Sequence, residues 1–233
     1  MNRVMLRTEG LAKGFTLHLR GGVRIPVLSN VALTVHAGEC VVLSGPSGAG
    51  KTTLMRSLYG NYRTEQGRIQ IRHHGEMVDI TTADPRTILA VRRETLGYVS
   101  QFLRVVPRVP ALEVVAEVLT ARGTAPEVAR RRAAELLMRL NIPRRLHAIP
   151  PVTFSGGEQQ RVNLARGLIA DYPVLLLDEP TASLDAENRA IVIAMINDVK
   201  ARGTAIIAIC HDADVRDAVA DRLYEVRPLQ DAA

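Results

Sequence analysis

Residues 45 to 52 read GPSGAGKT, and a single residue, Ser44, separates them from the apolar run Cys40-Val41-Val42-Leu43. No other stretch constrains the fold as strongly, because G-x-x-x-x-G-K-[ST] works only between a strand and a helix. The strand is expected over 40–43, which is apolar at consecutive positions, and the helix over TTLMRSLYGNY. Gly45, Gly48 and Gly50, with Pro46, Ser47 and Ala49 between them, let backbone N–H groups turn inward around phosphate oxygens at the positive end of that helix. Lys51 then brings a point charge to the β- and γ-phosphates, and Thr52 a hydroxyl for Mg²⁺. A chance glycine-rich turn has no need of the flanking strand and helix. The motif in this context predicts a nucleoside triphosphate site.

Two further runs, Val174-Leu175-Leu176-Leu177 and Ala205-Ile206-Ile207-Ala208-Ile209, are also apolar at consecutive positions, as parallel strands buried on both faces are. Polar residues follow both at once, DEPTASLD after the first and CHDADV after the second. Ligands of open α/β sheets bind beyond the carboxyl ends of the strands, so three such ends predict one shared site. At the second end, Asp178 is placed to hold the Mg²⁺ shell through water, and Glu179 to accept a proton from an attacking water. A helix cap would also account for an isolated Asp-Glu pair, but not for its delivery by an apolar strand to a chain with a phosphate loop. At the third end, His211 is positioned to contact the γ-phosphate or to orient that water. His18, His36, His73, His74 and His147 read as structural residues. His73 and His74, adjacent on a strand, are expected on opposite faces and so not to share a metal.

VLSNVALTVHAGE alternates in part and GRIQIRHHGEMVDI resembles a hairpin, which together predict a small antiparallel β layer packed on the parallel core. Between Gln101 and Ser155 the pattern turns helical, in ALEVVAEVL and APEVARRRAAELLMRL, with breaks at Pro107, Pro110, Pro143, Pro150 and Pro151. In the second of these helices Val128, Leu136, Leu137 and Leu140 are expected to share one face, leaving Arg130-Arg131-Arg132 solvated. FSGGEQQR, from Phe154 to Arg161, then opens another helix, with Ser155 as N-cap and Glu158 completing a capping box.

The net charge of +6 brings nucleic acid or an anionic surface into consideration, but the basic residues, 27 arginines and three lysines, are scattered. Aromatics are 3% with no Trp, which leaves no stacking platform for bases, and no nucleic-acid partner is expected. No apolar run reaches bilayer length and MNRVMLRTEG lacks a hydrophobic region, so a cytoplasmic chain without a membrane span is expected. Cys40 and Cys210 lie inside apolar runs and read as reduced buried thiols.

The order of these motifs resembles the ATP-binding cassette (ABC) family over nearly the whole chain. GPSGAGKT resembles its Walker A, with Thr53 beside it; Gln101 in YVSQFL resembles its Q-loop, FSGGEQQR its signature, VLLLDEP its Walker B, ASLD its D-loop and His211 its switch histidine. Phe154 stands where leucine is commoner. The resemblance implies an α/β P-loop NTPase of ABC ATPase fold, with a parallel RecA-like core, an N-terminal antiparallel β layer and an inserted helical subdomain. The whole chain, 1–233, is then one ABC domain, with core 1–100 and 162–233 and helical subdomain 101–161 carrying the signature. It further implies that Phe15 stacks on adenine and that Glu179 is the general base. Gln101 contacts Mg²⁺ and water and couples the helical subdomain to the core. Two cassettes dimerise head to tail, so Ser155, Gly156 and Gly157 complete the ATP site of the partner. A Ser hydroxyl, glycine N–H groups and a helix N-terminus suit that anion-binding role.

RSLYGNY, SQFLRVVPRVPALEVV, VTFSGGEQQRVN, DYPVLLLDEPTASLDAEN and VADRL resemble a narrower group, the ATP-binding PhnL subunits of bacterial carbon–phosphorus lyase systems. That likeness implies a soluble ATPase working beside the other subunits of such a complex. Their joint product from phosphonate and ATP is α-D-ribose 1-methylphosphonate 5-triphosphate. The broader pattern is also similar to the ATPase subunits of lipoprotein and macrolide exporters. A nucleic-acid repair ATPase is disfavoured, because no sustained heptad pattern of a long coiled coil lies between Gln101 and Ser155.

Overall fold

The chain starts in a long hairpin. In the computed structural model, which describes residues 3–17, 21–103 and 107–229, β1 (Val4–Leu17) pairs antiparallel with β2 (Val23–His36). β3 (Cys40–Ser44) then leads through the phosphate-loop sequence into α1 (Lys51–Leu58). β4 (Gln66–His73) and β5 (Glu76–Asp79) form the second hairpin, and α2 (Pro85–Glu94) precedes β6 (Leu96–Val99). Three helices follow, α3 (Ala111–Thr120), α4 (Pro126–Arg139) and the short α5 (Arg144–His147). The remainder alternates: α6 (Gly156–Leu168), β7 (Val174–Asp178), α7 (Ala186–Ala201), β8 (Ala205–Ile209), α8 (Ala213–Val219) and β9 (Arg222–Glu225).

Two sheets result. One is antiparallel, in the order β2-β1-β4-β5, and the other is parallel, in the order β6-β7-β8-β3-β9. The central strands β3, β7 and β8 are buried on both faces, and each residue step along them changes face. Cys40, Val42, Leu175, Leu177, Ile206 and Ala208 pack into one core with α3, α4, α6 and α7. Val41, Leu43, Val174, Leu176, Ala205, Ile207 and Ile209 pack into the other, with α1 and the antiparallel sheet. The three apolar runs read from the sequence are therefore central strands, and their carboxyl ends share one edge.

Several expectations need correction. The helix after the phosphate loop stops at Leu58, not Tyr62, because Gly60 adopts φ 75 and turns the chain. On α4 the buried face is Ala129, Ala133 and Leu137, with Leu140 following. Val128 lies one residue, about 100°, off that face and is exposed. His73 and His74 do not separate to opposite faces; their rings lie 4.0 Å apart, because His74 takes φ 47 in the turn and breaks the strand alternation. His36 contacts Glu39, and His147 is buried against the Ile142 carbonyl. His18 and residues 104–106 of SQFLRVVPRVPALEVV lie outside the described residues. Arg130, Arg131 and Arg132 are exposed, and both cysteines are free. Among the described residues no helix is long and apolar enough to cross a membrane.

Candidate functional site

The loop after β3 is open to solvent from Gly45 to Gly48, and Ala49 turns inward and is buried. Gly45 has φ 133, and a Cβ there would stand 2.3 Å from the Val226 carbonyl oxygen, so only glycine fits. Gly50 caps α1 in the left-handed conformation, with no side chain bonded to the first-turn N–H groups. Those donors are what an anion at a helix N-terminus uses. Lys51 Nζ curls back over the loop to the carbonyl oxygens of Gly45 (2.8 Å) and Pro46 (2.9 Å). Thr52 and Thr53 follow in the first turn, both half-buried.

Beyond β7 the two acids sit in unlike surroundings. Asp178 is 2% exposed, and burial pushes its carboxyl above the usual carboxylate range; the Glu179 charge adds to the rise and a Tyr98 hydroxyl opposes it. That hydroxyl donates to Oδ2 at 3.2 Å, whereas Oδ1 is buried with no partner. Burial and the neighbouring Asp178 push the Tyr98 phenol up to about 12, so it stays a donor. Glu179 has φ 54, and its N–H donates to the Ile209 carbonyl, which locks the turn to β8. Its two carboxylate oxygens are held by different elements: Gln101 Nε2 donates to Oε2 at 3.0 Å, and His211 Nε2 lies 2.7 Å from Oε1. The structure thus brings Gln101, Glu179 and His211 together beside Asp178.

Two residues that sequence reasoning passed over support this cluster from α6. Gln160 Nε2 donates to the carbonyls of Glu179 and Pro180, and Asn163 Nδ2 to that of Ser100, the residue before Gln101. Both are nearly fully buried, and their i, i+3 spacing on an otherwise apolar face was the available signal. Tyr98 was also missed, and its partner lies 80 residues away.

The Ser155-Gly156-Gly157 turn lies elsewhere. Ser155 Oγ accepts the Glu158 N–H, and the Ser155 N–H donates to Glu158 Oε2, so the predicted capping box is formed. A Cβ on Gly157 would meet the Ser183 carbonyl at 2.8 Å, whereas one on Gly156 would find its nearest atom at 3.9 Å. Packing within the chain therefore explains the second glycine and not the first. Asp185, in ASLD, caps α7 through the Asn188 N–H. Phe15, near the end of β1, meets Tyr62 edge-on at 5.2 Å with Lys13 Nζ 4.8 Å above its ring.

The donor set accommodates a magnesium ion. The orphaned Asp178 Oδ1, the Thr52 hydroxyl and the Gln101 amide are oxygen donors of the kind that Mg²⁺ takes, directly or through water.

The profile of the family described as ABC transporter matches residues 28–182. An uncharacterized ABC transporter ATP-binding protein of Mycobacterium tuberculosis (strain ATCC 25618 / H37Rv) is 38% identical over 208 residues, 89% of this chain. The macrolide export ATP-binding/permease protein MacB of Hyphomonas neptunium is 38% identical over 207 residues, also 89% of this chain. The chain spans 61% of the first relative's length and 31% of the second's. A solved structure described as the dimeric post-hydrolysis state of the ATP-binding cassette MJ0796 bound to ADP and Pi superposes with a TM-score of 0.87. It shares 27% sequence identity, and the match covers 96% of this chain and 94% of that one.

Proposed function

The chain belongs to the ABC transporter family, and from that premise we propose that it hydrolyses ATP to ADP and phosphate in the cytoplasm as one of two paired cassettes. The observation that carries the reading is the grip on Glu179 by Gln101 and His211, at the carboxyl end of β7 on the sheet edge where β3 leads into the phosphate loop. The backbone N–H groups of residues 47–53 receive the phosphates, and Lys51 leaves the Gly45 and Pro46 carbonyls for the β- and γ-phosphate oxygens. Phe15 stacks on the adenine. Thr52, Gln101 and, through water, Asp178 would hold Mg²⁺, which would neutralise charge on the phosphates. Glu179 takes the proton of the attacking water, and His211 orients that carboxylate and the γ-phosphate. Ser155, Gly156 and Gly157 serve the ATP of the other cassette, homotypic or a paired homologue, which accounts for the space left at Gly156. The helical segment 101–161 forms the subdomain through which Gln101 answers to partners. Glu179→Gln should retain ATP binding, abolish turnover and accumulate a closed cassette dimer on size exclusion. Hydrolysis at the parental rate would remove Glu179 from the role of base.

The ATPase serves, in this reading, a carbon–phosphorus lyase complex, whose other subunits form α-D-ribose 1-methylphosphonate 5-triphosphate from phosphonate and ATP. Support comes from stretches with no catalytic duty, RSLYGNY and VADRL among them. A cleft of about 480 Å³ beside Gln101, lined by Tyr59, Tyr98, Phe102 and Asn163, offers the place where such a subunit engages; Phe102 stands 72% exposed there. Disruption of the gene should abolish growth on methylphosphonate as sole phosphorus source. The likeness to MacB favours a second reading, the ATPase of a membrane exporter. Normal growth on methylphosphonate with a defect in export would establish that alternative.

A further inference from the structure

His73, His74, Gly75 and Glu76 make the two-residue turn that joins β4 to β5, and His74 occupies its left-handed position with φ 47. Asparagine, aspartate or glycine lead at that position, and histidine is also tolerated in the left-handed region. The left-handed step stacks the two rings at 4.0 Å instead of separating them. Glu94, the last residue of α2, arrives from a distant part of the sequence and places Oε2 2.8 Å from His74 Nε2. Thr95, the next residue, places its hydroxyl 2.6 Å from His73 Nδ1, so Nε2 is the ligand nitrogen left to that ring. One ligand atom from each of His73, His74 and Glu94 lies within 4.8 Å of the others, the single such trio of His, Cys, Asp or Glu among the described residues.

We propose that His73, His74 and Glu94 form a binding site for a divalent first-row transition ion, represented by Zn²⁺, separate from the nucleotide site. Two imidazoles and a carboxylate are the mixed nitrogen and oxygen donors that Zn²⁺, Ni²⁺ or Cu²⁺ take, whereas Mg²⁺ prefers oxygen alone. Donors about 2.1 Å from a tetrahedral ion stand about 3.4 Å from each other, so the His74–Glu94 pair, now 2.8 Å apart, opens slightly as the ion enters between them, and every separation in the trio already lies within 4.8 Å. The His74 side chain, 72% exposed, has the freedom to make that movement. Water takes the fourth position, and the Thr95 contact fixes the His73 ring from outside, as outer partners of metal-bound histidines do. Arg93 engages Glu94 through Oε1 and leaves Oε2 toward His74, at the cost of weakening the carboxylate's pull on a cation. A plain surface ion pair explains less. It needs one histidine, contributes little at an exposed position, and gives no reason for the second ring or its anchor on Thr95. The bound ion clamps the β4–β5 turn to the junction of α2 and β6, six residues before Gln101.

Calorimetric titration of the untagged, metal-free chain with Zn²⁺, without nucleotide, tests the site. The parent should bind one ion per chain, unaffected by millimolar Mg²⁺, and its thermal midpoint should rise with Zn²⁺. Affinity should fall at least tenfold in His74→Asn, which keeps the turn because asparagine tolerates positive φ, and in Glu94→Gln. Arg93→Ala should bind more tightly than the parent. Absence of saturable binding by the parent overturns the proposal. So does undiminished affinity in His74→Asn and Glu94→Gln, the pattern expected if Cys40 or Cys210 took the ion instead.

Discussion

At the scale of single residues, Asp178 carries two opposed demands: a carboxylate suited to a cation, and a buried oxygen with nothing bonded to it in the folded chain. Because its carboxyl lies above the usual range, it penalises the folded state only while ionised. That penalty is complete at pH values above the raised pKa and vanishes below the ordinary carboxylate value of about 4. Asp178→Asn should therefore stabilise the chain when Mg²⁺ and nucleotide are withheld. Removal of the buried negative charge, at about 1 kcal/mol for an unsatisfied buried group, corresponds to a melting temperature about 2–4 °C higher at neutral pH. The gain should disappear near pH 4, and scanning calorimetry across that range checks both ends. The same substitution should abolish Mg²⁺-dependent hydrolysis, as lost phosphate release will report. Asp178 itself was legible, since an apolar strand delivered it to a chain with a phosphate loop. Its partner Tyr98 was not, because a hydroxyl 80 residues away leaves no mark on local periodicity.

At the scale of elements, the decisive contact is between α6 and β6. A Cβ on Gly167 would stand 2.2 Å from Val99 Cγ2, so the helix rests directly on the strand that leads into Gln101. Gly167→Ala forces them apart, at a cost of about 1–3 kcal/mol by overpacking. It should also lower ATPase activity more than the stability loss explains, because Asn163 and Gln160 reach Ser100 and Glu179 from the same helix. Denaturant unfolding measured beside steady-state hydrolysis separates the two effects, and adding Val99→Ala should restore both. The central strands and the capping box at Ser155 were readable because each is written in consecutive residues. β6 was not, since Leu96-Gly97-Tyr98-Val99 is short and Gly97 lowers its strand signal. The His73–His74 arrangement escaped for a related reason: alternation is a rule for strands, and His74 sits in the turn.

At the scale of the whole molecule, the phosphate loop and the Ser155 turn have different neighbours, Val226 and Leu28 for one and Ser183 and Leu184 for the other. Proteins that complete one site from two copies lose activity on dilution, so specific ATPase activity should climb with protein concentration until pairing saturates. Gly156→Val should leave the melting temperature within about 2 °C of the parent, because the position is open within the chain and sits in the first turn of α6. Hydrolysis in that variant should fall on the order of a hundredfold, as when an anion-stabilising donor is lost. A melting temperature depressed in proportion to activity would mean that Gly156 serves only the fold. The grip on Glu179 also bears on how the protein waits. With one oxygen held from the Gln101 side and the other by His211, the carboxylate swings toward water only after a bond breaks. On the proposed reading, a subunit awaiting its companion would turn over slowly, and little fuel would be spent before pairing.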